Sequence, residues 1–167
     1  MLVMGIDPGI AITGYSFVRK GRQGSGLAEA YGCLRTPAHT ELSTRLLQLH
    51  NELTALITEH QPDVLAVEQL FFNRNTTTAF TVGQARGVVL LTAAQHGIPV
   101  VEYTPLQVKQ AVVGYGRAEK QQVQQMVKAL LNLPGLPKPD DVADALAIAI
   151  CHLHSQEFRS LTAERRT

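Results

Sequence analysis

The chain has 167 residues, of which 45% are hydrophobic and 17% charged, and its formal net charge is +1. This length suits one domain with a full hydrophobic core, and the composition argues against a disordered, collagen-like or low-complexity chain. No apolar run is long enough to span a membrane, and the first residues lack the basic start of a signal peptide. Two cysteines, Cys33 and Cys151, do not make the framework of a small secreted domain, so we expect a reduced, cytoplasmic protein.

The first part of the chain predicts three strands, over residues 2–6, 12–18 and 27–34. Asp7-Pro8-Gly9 interrupts the first apolar run, and a basic, glycine-rich turn over 21–26 separates the second run from the third. Short links of this kind favour an antiparallel meander.

The middle of the chain predicts helices alternating with buried strands. Leucines at three- and four-residue steps predict a helix over 41–60, and a continuous apolar run over 64–67 predicts a strand that ends on Glu68. Burial on both faces is typical of a parallel strand covered by helices. A polar loop over 71–78 should lead to a helix over 78–96 and a further strand over 98–101.

The last part predicts helices over 106–113, 118–131 and 140–154. The polar remainder, 155–167, should fray, which leaves one domain over 1–154. Three antiparallel strands, extended by two parallel strands through helical crossovers, predict an α/β fold.

Carboxylates recur where the buried elements end. Asp7 ends the first strand, Glu68 ends the fourth, and three acids at the start of the last helix are Asp140, Asp141 and Asp144. A turn or a helix cap explains an isolated acid of this kind, but strand ends of open α/β sheets face the ligand crevice. Asp140 and Asp141 both share a helix face with Asp144, so spacing does not choose between them.

If these ends converge, three or four carboxylates meet with no cation close to them in sequence. Their repulsion would require a divalent cation, and all-oxygen ligands suit Mg²⁺ or Mn²⁺. Two such ions could activate a water and steady a leaving oxygen at phosphorus. The segment 105–138 carries five basic residues against one acidic residue, a pattern that suits a polyanion or simply solvated helix faces.

Six motifs in order, between Met1 and about His154, resemble the RuvC family of Holliday-junction resolvases. They are Gly5-Ile6-Asp7-Pro8-Gly9 with Thr13-Gly14, Val67-Glu68-Gln69, Gly83-Gln84-Ala85-Arg86-Gly87, Gln107-Val108-Lys109-Gln110 with Val112-Val113-Gly114, Ala118-Glu119-Lys120, and Asp141-Val142-Ala143-Asp144-Ala145-Leu146-Ala147-Ile148-Ala149.

The resemblance implies an RNase H-like (retroviral-integrase-like) fold, with a mixed five-stranded sheet flanked by helices. It implies a homodimer that resolves four-way DNA junctions by symmetric paired nicks in homologous recombination and DNA repair. The implied cofactor is Mg²⁺, two ions per site, with Mn²⁺ able to substitute. The implied partner is the RuvA–RuvB branch-migration motor, with no membrane involved.

The resemblance also implies the site residues. The catalytic and metal-binding acids fall on Asp7, Glu68, Asp141 and Asp144, which leaves Asp140 as an N-cap. The DNA-binding residues that it implies are Phe71, Lys109 and Lys120. We also predict DNA contacts at Phe72, which neighbours Phe71, and at Arg74 and Arg86, which lie in a stretch over 71–101 without acidic residues.

Phe71 matches the family's aromatic at the crossover, whereas Phe72 departs from the pattern and could share the role. Two phenylalanines in a polar loop suit base stacking, although a core pair is the alternative. Lys109 and Lys120 would offset charge near a metal-bound phosphate, although solvated helix lysines look the same in sequence.

Three other functions fit parts of the pattern. An RNase H-like nuclease with another nucleic-acid substrate is opposed only by the matches at Phe71, Lys109 and Lys120. A non-catalytic junction-binding protein would have no need of acids at two strand ends and a helix face. A sugar-kinase or actin-type phosphotransferase requires two domains and a second phosphate-binding motif, which this chain lacks.

Overall fold

The computed structural model describes residues 1–21, 26–69 and 76–164, with side chains throughout except at 76–78 and 159–164. Phe71, Phe72 and Arg74 therefore lie outside the described residues. The elements in chain order are β1 (Leu2–Asp7), β2 (Ile12–Lys20), β3 (Gly26–Arg35), α1 (Leu42–His60), β4 (Val64–Glu68), α2 (Thr76–Gln95), β5 (Val100–Tyr103), α3 (Pro105–Val113), α4 (Lys120–Leu130) and α5 (Asp140–Glu164).

The strands form one five-stranded sheet in the order β3-β2-β1-β4-β5. The β1–β2 and β2–β3 pairs are antiparallel, whereas the β1–β4 and β4–β5 pairs are parallel. The predicted meander with two parallel additions is confirmed, as is the mixed five-stranded RNase H-like sheet flanked by helices. The pairing brings the ends of β1 and β4 to the same edge of the sheet.

Helices cover both faces of the sheet, and the strand residues alternate between two cores. Leu2, Met4 and Ile6 of β1 pack in the core with α1 and α2. Val3 of β1 and Val64 of β4 pack in the core with α3, α4 and α5. Among the described residues, no helix is long and apolar enough to cross a bilayer.

Helix α5 lies directly against β1 and β2, because small residues line the contact. A Cβ atom at Gly5 would overlap the carbonyl oxygen of Ala145, and one at Gly14 would overlap the carbonyl oxygen of Asp141. The buried Ser16 hydroxyl donates a hydrogen bond to the Ala145 carbonyl at 2.9 Å. The start of α5 is thereby held close to the carboxyl end of β1.

Several predicted boundaries were wrong. Helix α2 begins at Thr76 rather than 78. Strand β5 is Val100–Tyr103 rather than 98–101, because Pro99 supplies no backbone N–H and the Ile98 N–H caps the preceding helix on the Ala93 carbonyl.

The predicted end of the last helix at His154 was also wrong, because α5 continues to Glu164. The segment expected to fray is helical as far as that residue. It contains no proline or glycine, and its Gln, Glu, Arg, Leu and Ala residues are good helix formers.

Candidate active site

Asp7 and Glu68 both lie on the α5 side of the sheet. Successive strand residues point to opposite faces, and Val3 and Val64, which precede the two acids by four positions each, pack against α5 and its neighbours. The last residues of β1 and β4 therefore point to that same face. Each acid follows four or more buried residues, so both are held at the end of a rigid strand.

Asp141 and Asp144 reach the same place from the first turns of α5. Their position follows from the contact between Gly14 and the Asp141 backbone, since Gly14 lies opposite Asp7 in the sheet. The flanking residues Val142, Ala143 and Ala145 are buried, which anchors this part of the helix.

The pKa values of Asp7, Glu68 and Asp144 are raised. Burial, followed by repulsion from Asp144, Asp141 and Glu68, raises the pKa of Asp7 to about 7. Burial and the charge of Asp144 raise the pKa of Glu68, although Lys109 opposes the shift. Burial also raises the pKa of Asp144, against the opposing charge of Lys120. Such mutual repulsion indicates an acidic centre that a cation would stabilise.

Lys120, the first residue of α4, is the cation in direct contact with these acids. Its Nζ lies 3.3 Å from Asp144 Oδ2 and 3.2 Å from Asp140 Oδ2. Hydrogen bonds from Lys120 and Gln124 lower the pKa of Asp140. Asp140, predicted as an N-cap, is instead the first residue of α5 and an exposed partner of Lys120.

A cavity of about 230 Å³ opens between α3, α4 and α5 beside these groups. It is lined by Glu68, Pro105, Val108, Lys109, Lys120, Val123, Asp144, Ala147 and Ile148. Lys109 reaches it from α3, whose first turn is fixed by a reciprocal capping box between Thr104 and Gln107. Two lysines and two carboxylates thus surround an apolar floor, which sequence reasoning did not foresee because the floor comes from three separate helices.

The donor set suits a hard divalent cation. Carboxylate oxygens are the ligands that Mg²⁺ and Mn²⁺ prefer. Burial, with repulsion between the acids, raises the pKa of Asp7, Glu68 and Asp144, and a bound cation would offset both effects. In the part of the chain that the structure describes, no three acidic, histidine or cysteine side chains are already gathered as a ligand cluster.

Arg86, the other predicted DNA contact in the described part of the chain, is not brought to this centre. It projects from α2, and its Nη2 lies 2.7 Å from Oε1 of Glu102 in an ion pair. Glu102 alternates with Tyr103, which packs in the α5-side core, so this pair lies on the opposite face of the sheet. The Arg86 side chain is 15% exposed, which leaves little of it to meet DNA.

The chain was compared with known proteins. The family model for crossover junction endodeoxyribonuclease RuvC matches residues 3–152. A protein of that name from Desulfitobacterium hafniense is 67% identical over 156 residues, which are 93% of each chain. One from Syntrophomonas wolfei is 58% identical over all of this chain and 96% of its own length.

Solved structures of Holliday junction resolvases are also similar to this chain. Thermus thermophilus RuvC in complex with a Holliday junction substrate has a TM-score of 0.90 and 36% identity, covering 95% of this chain and 96% of the other. The yeast mitochondrial Holliday junction resolvase Ydc2 has a TM-score of 0.68 and 15% identity, covering 93% and 78%. The second likeness shows the fold alone.

Proposed function

The chain belongs to the RuvC family of crossover junction endodeoxyribonucleases, and from this premise we propose that it resolves four-way DNA junctions by symmetric paired nicks. The solved relative that was crystallised with a Holliday junction substrate covers 95% of this chain, which supports the same substrate here. The proposed setting is homologous recombination and DNA repair in the cytoplasm.

One observation carries the proposal: two strand ends and one helix start bring four acids to one face of the sheet, beside two lysines. Asp7 interacts with all three other acids, and Lys109 and Lys120 line the same cavity as Glu68 and Asp144. A protein that only binds DNA gains nothing from buried acids that repel phosphate. Hydrolysis of a phosphodiester, in contrast, requires groups that can hold a cation and direct a water.

Asp7, Glu68, Asp141 and Asp144 would hold the metal, which we propose to be two Mg²⁺ ions, with Mn²⁺ able to substitute. Bound ions of this kind supply an activated water and charge stabilisation of the leaving oxygen. The carboxylates supply negative charge at fixed points, because each is attached to a strand end or to the anchored part of α5.

Lys109 and Lys120 would bind the phosphate from the other side of the cavity. Both are donors only, so they match phosphate oxygens and stabilise the charge that develops on them. Between them lies the apolar floor, which includes Val108, Val123 and Ile148. These two lysines therefore act on the reacting phosphate, whereas Arg86 maintains the opposite face of the sheet.

Paired nicks need two active sites, and α2 offers a surface for a second copy of this chain. Phe80 and Leu91 are 70% and 56% exposed, and a Cβ atom at Gly83 or Gly87 would meet open space. Residues 80, 87 and 91 share one helix face, which is an unusually apolar surface to leave in water. We propose a homodimer through this face, with the RuvA–RuvB branch-migration motor as the further partner.

The direct test is incubation of the purified chain with a synthetic four-way junction and Mg²⁺. The proposal expects two symmetric nicks in strands of like orientation. Replacing Mg²⁺ by Ca²⁺ should leave binding and stop cleavage, because Ca²⁺ coordination is larger and looser. Asp7→Asn should likewise bind the junction without cutting it, since affinity comes mainly from phosphate contacts.

The alternatives predict other results. Faster cleavage of an RNA–DNA hybrid or a flap than of the junction would indicate an RNase H-like nuclease with another substrate. Junction binding with no cleavage in Mg²⁺ or Mn²⁺ would indicate a non-catalytic binding protein.

A further inference from the structure

A buried polar pair joins the last residue of β5 to the middle of α5. Tyr103 Oη and His152 Nδ1 lie 2.9 Å apart, and the residues are 5% and 1% exposed. Their rings meet edge to face, with centroids 5.9 Å apart. Burying such groups costs free energy unless they are hydrogen-bonded, so the pair specifies one arrangement of the two elements.

Tyr103 is hydrogen-bonded to β4, the strand that ends in Glu68. It lies opposite Glu68 in the parallel β4–β5 pairing. Its carbonyl accepts a hydrogen bond of 2.8 Å from the N–H of Gln69, the residue that follows this acid. A shift of Tyr103 would therefore be passed to the backbone on both sides of Glu68.

His152 lies on α5, the helix that also contains Asp144. It follows Asp144 by eight residues on α5, about 12 Å along the axis of one continuous helix. A movement of α5 along the sheet would shift Asp144 and His152 together.

Beside the acids, α5 lies in direct contact with the sheet. Gly5 and Gly14 face Ala145, Ala149 and the Asp141 backbone, and a Cβ atom at either glycine would overlap a carbonyl oxygen of α5. The Ser16 hydroxyl holds one point, at the Ala145 carbonyl. The bond between Tyr103 and His152 adds a second polar contact, about two helical turns further along α5.

We propose that Tyr103 and His152 are positioning residues for the cleavage reaction, and that their hydrogen bond keeps Asp144 of α5 in register with Glu68 of β4. This inference rests on the proposed function, in which those two acids hold the metal. It assigns the pair a role beyond packing.

The test is Tyr103→Phe, which removes the hydroxyl and keeps the ring. We expect the single-turnover cleavage rate at saturating junction to fall by about tenfold or more, because groups that orient metal ligands have effects of that size. Junction affinity in Ca²⁺ should stay within about twofold, since no phosphate contact is lost. Titration of the protein alone with Mn²⁺, followed by calorimetry, should show affinity weakened by about tenfold.

The matched control is Thr92→Val. It removes a buried hydroxyl that lies 2.8 Å from His50 Nδ1, between α1 and α2 on the other face of the sheet. We expect a similar loss of thermal stability, with unchanged cleavage and Mn²⁺ affinity. His152→Asn keeps a hydrogen-bonding group near the position of the ring nitrogen. It should therefore retain more cleavage activity and more Mn²⁺ affinity than His152→Leu.

Wild-type cleavage and Mn²⁺ affinity in Tyr103→Phe would overturn the inference. So would losses that match those of Thr92→Val at equal melting temperature, because the pair would then be structural only. If the wild-type chain cuts no junction, the proposed function fails instead, and the Mn²⁺ titrations still decide whether the pair orders the carboxylates.

Discussion

Asp7 is a side chain whose ionisation the folded chain resists. Within the fold it interacts with three other acids and with Lys120, and burial deprives its charge of water. In the unfolded chain its pKa would return to the ordinary value of 3.8. Between these two values the folded state binds a proton that the unfolded state has already released.

This difference predicts how stability depends on pH. Without divalent metal, the free energy of unfolding should fall as pH rises from about 4 to about 7, by at most about 4 kcal/mol from Asp7. Glu68 and Asp144, whose pKa values are also raised, add to this fall in stability, whereas Asp140, whose pKa is lowered, changes stability only at lower pH. Urea denaturation in EDTA across this range measures the effect, and Asp7→Asn should make the dependence of stability on pH shallower and stabilise the chain at pH 8. An unchanged curve would contradict the assigned burial and repulsion.

Lys109 and Lys120 each place one ammonium group at the cavity beside the acids. Lys109→Ala and Lys120→Ala should slow cleavage by about 10- to 100-fold and weaken junction binding far less, since they stabilise charge that develops in the transition state. Lys128→Ala, in the last turn of the helix that begins at Lys120, is the control and should change neither. Equal losses in rate and affinity would assign both lysines to general phosphate contact.

At the scale of elements, the approach of α5 to β2 decides where the acids stand. Gly14→Ala would place a methyl group into the Asp141 carbonyl, so α5 must move away. We expect a loss of about 1–3 kcal/mol in stability and a larger loss of cleavage. In the control Gly135→Ala the added methyl group would point into open space, so stability and cleavage should both stay unchanged. Thermal melts and junction cleavage report the two effects, and normal cleavage in Gly14→Ala would show that α5 need not lie so close.

The segment between β4 and α2 carries the aromatic prediction. Phe71 follows Glu68 by three residues and should handle unpaired bases at the crossover. Phe71→Ala should lower cleavage of an intact junction by about tenfold, because a stacked base contributes roughly 1–3 kcal/mol. A junction with mismatched bases at the crossover should partly restore the rate, whereas Phe72→Ala should have a smaller effect.

Two outcomes would contradict the stacking role of Phe71. One is wild-type cleavage of both junctions by Phe71→Ala. The other is an equal loss on both junctions that follows a lower melting temperature, which would make Phe71 a core residue.

For the whole molecule, the prediction concerns assembly. Leu91→Glu and Phe80→Glu place charges on the exposed face of α2 and should raise the dimer dissociation constant by about 100-fold. Sedimentation velocity measures this shift, and the paired nicks should become uncoupled. Leu27→Glu, at an exposed apolar position on the edge strand β3, is the control and should sediment like the wild type. Unaltered sedimentation of both α2 variants would place the dimer interface elsewhere.

The sequence by itself determined the family, the fold class and nearly all the elements. Leucine spacing predicts α1, proline and glycine positions bound most elements, and short or long connections separate antiparallel from parallel pairs, because these are local properties of the chain. The motifs around Asp7 and Glu68 identify the family for the same reason. The prediction of a mixed five-stranded α/β sheet was confirmed.

Only the tertiary structure decided which face each functional side chain takes. The run before Glu68 is apolar at every position, so it shows no alternation of polar and apolar residues. The sequence therefore does not tell which face of the sheet Glu68 occupies. Helix spacing treats Asp140 and Asp141 alike, but Lys120 pairs with exposed Asp140 while Asp141 interacts with Asp7. Arg86 is drawn to Glu102, and Tyr103 to His152, by contacts between distant segments. Such partners depend on how helices pack on the sheet, which no local pattern encodes.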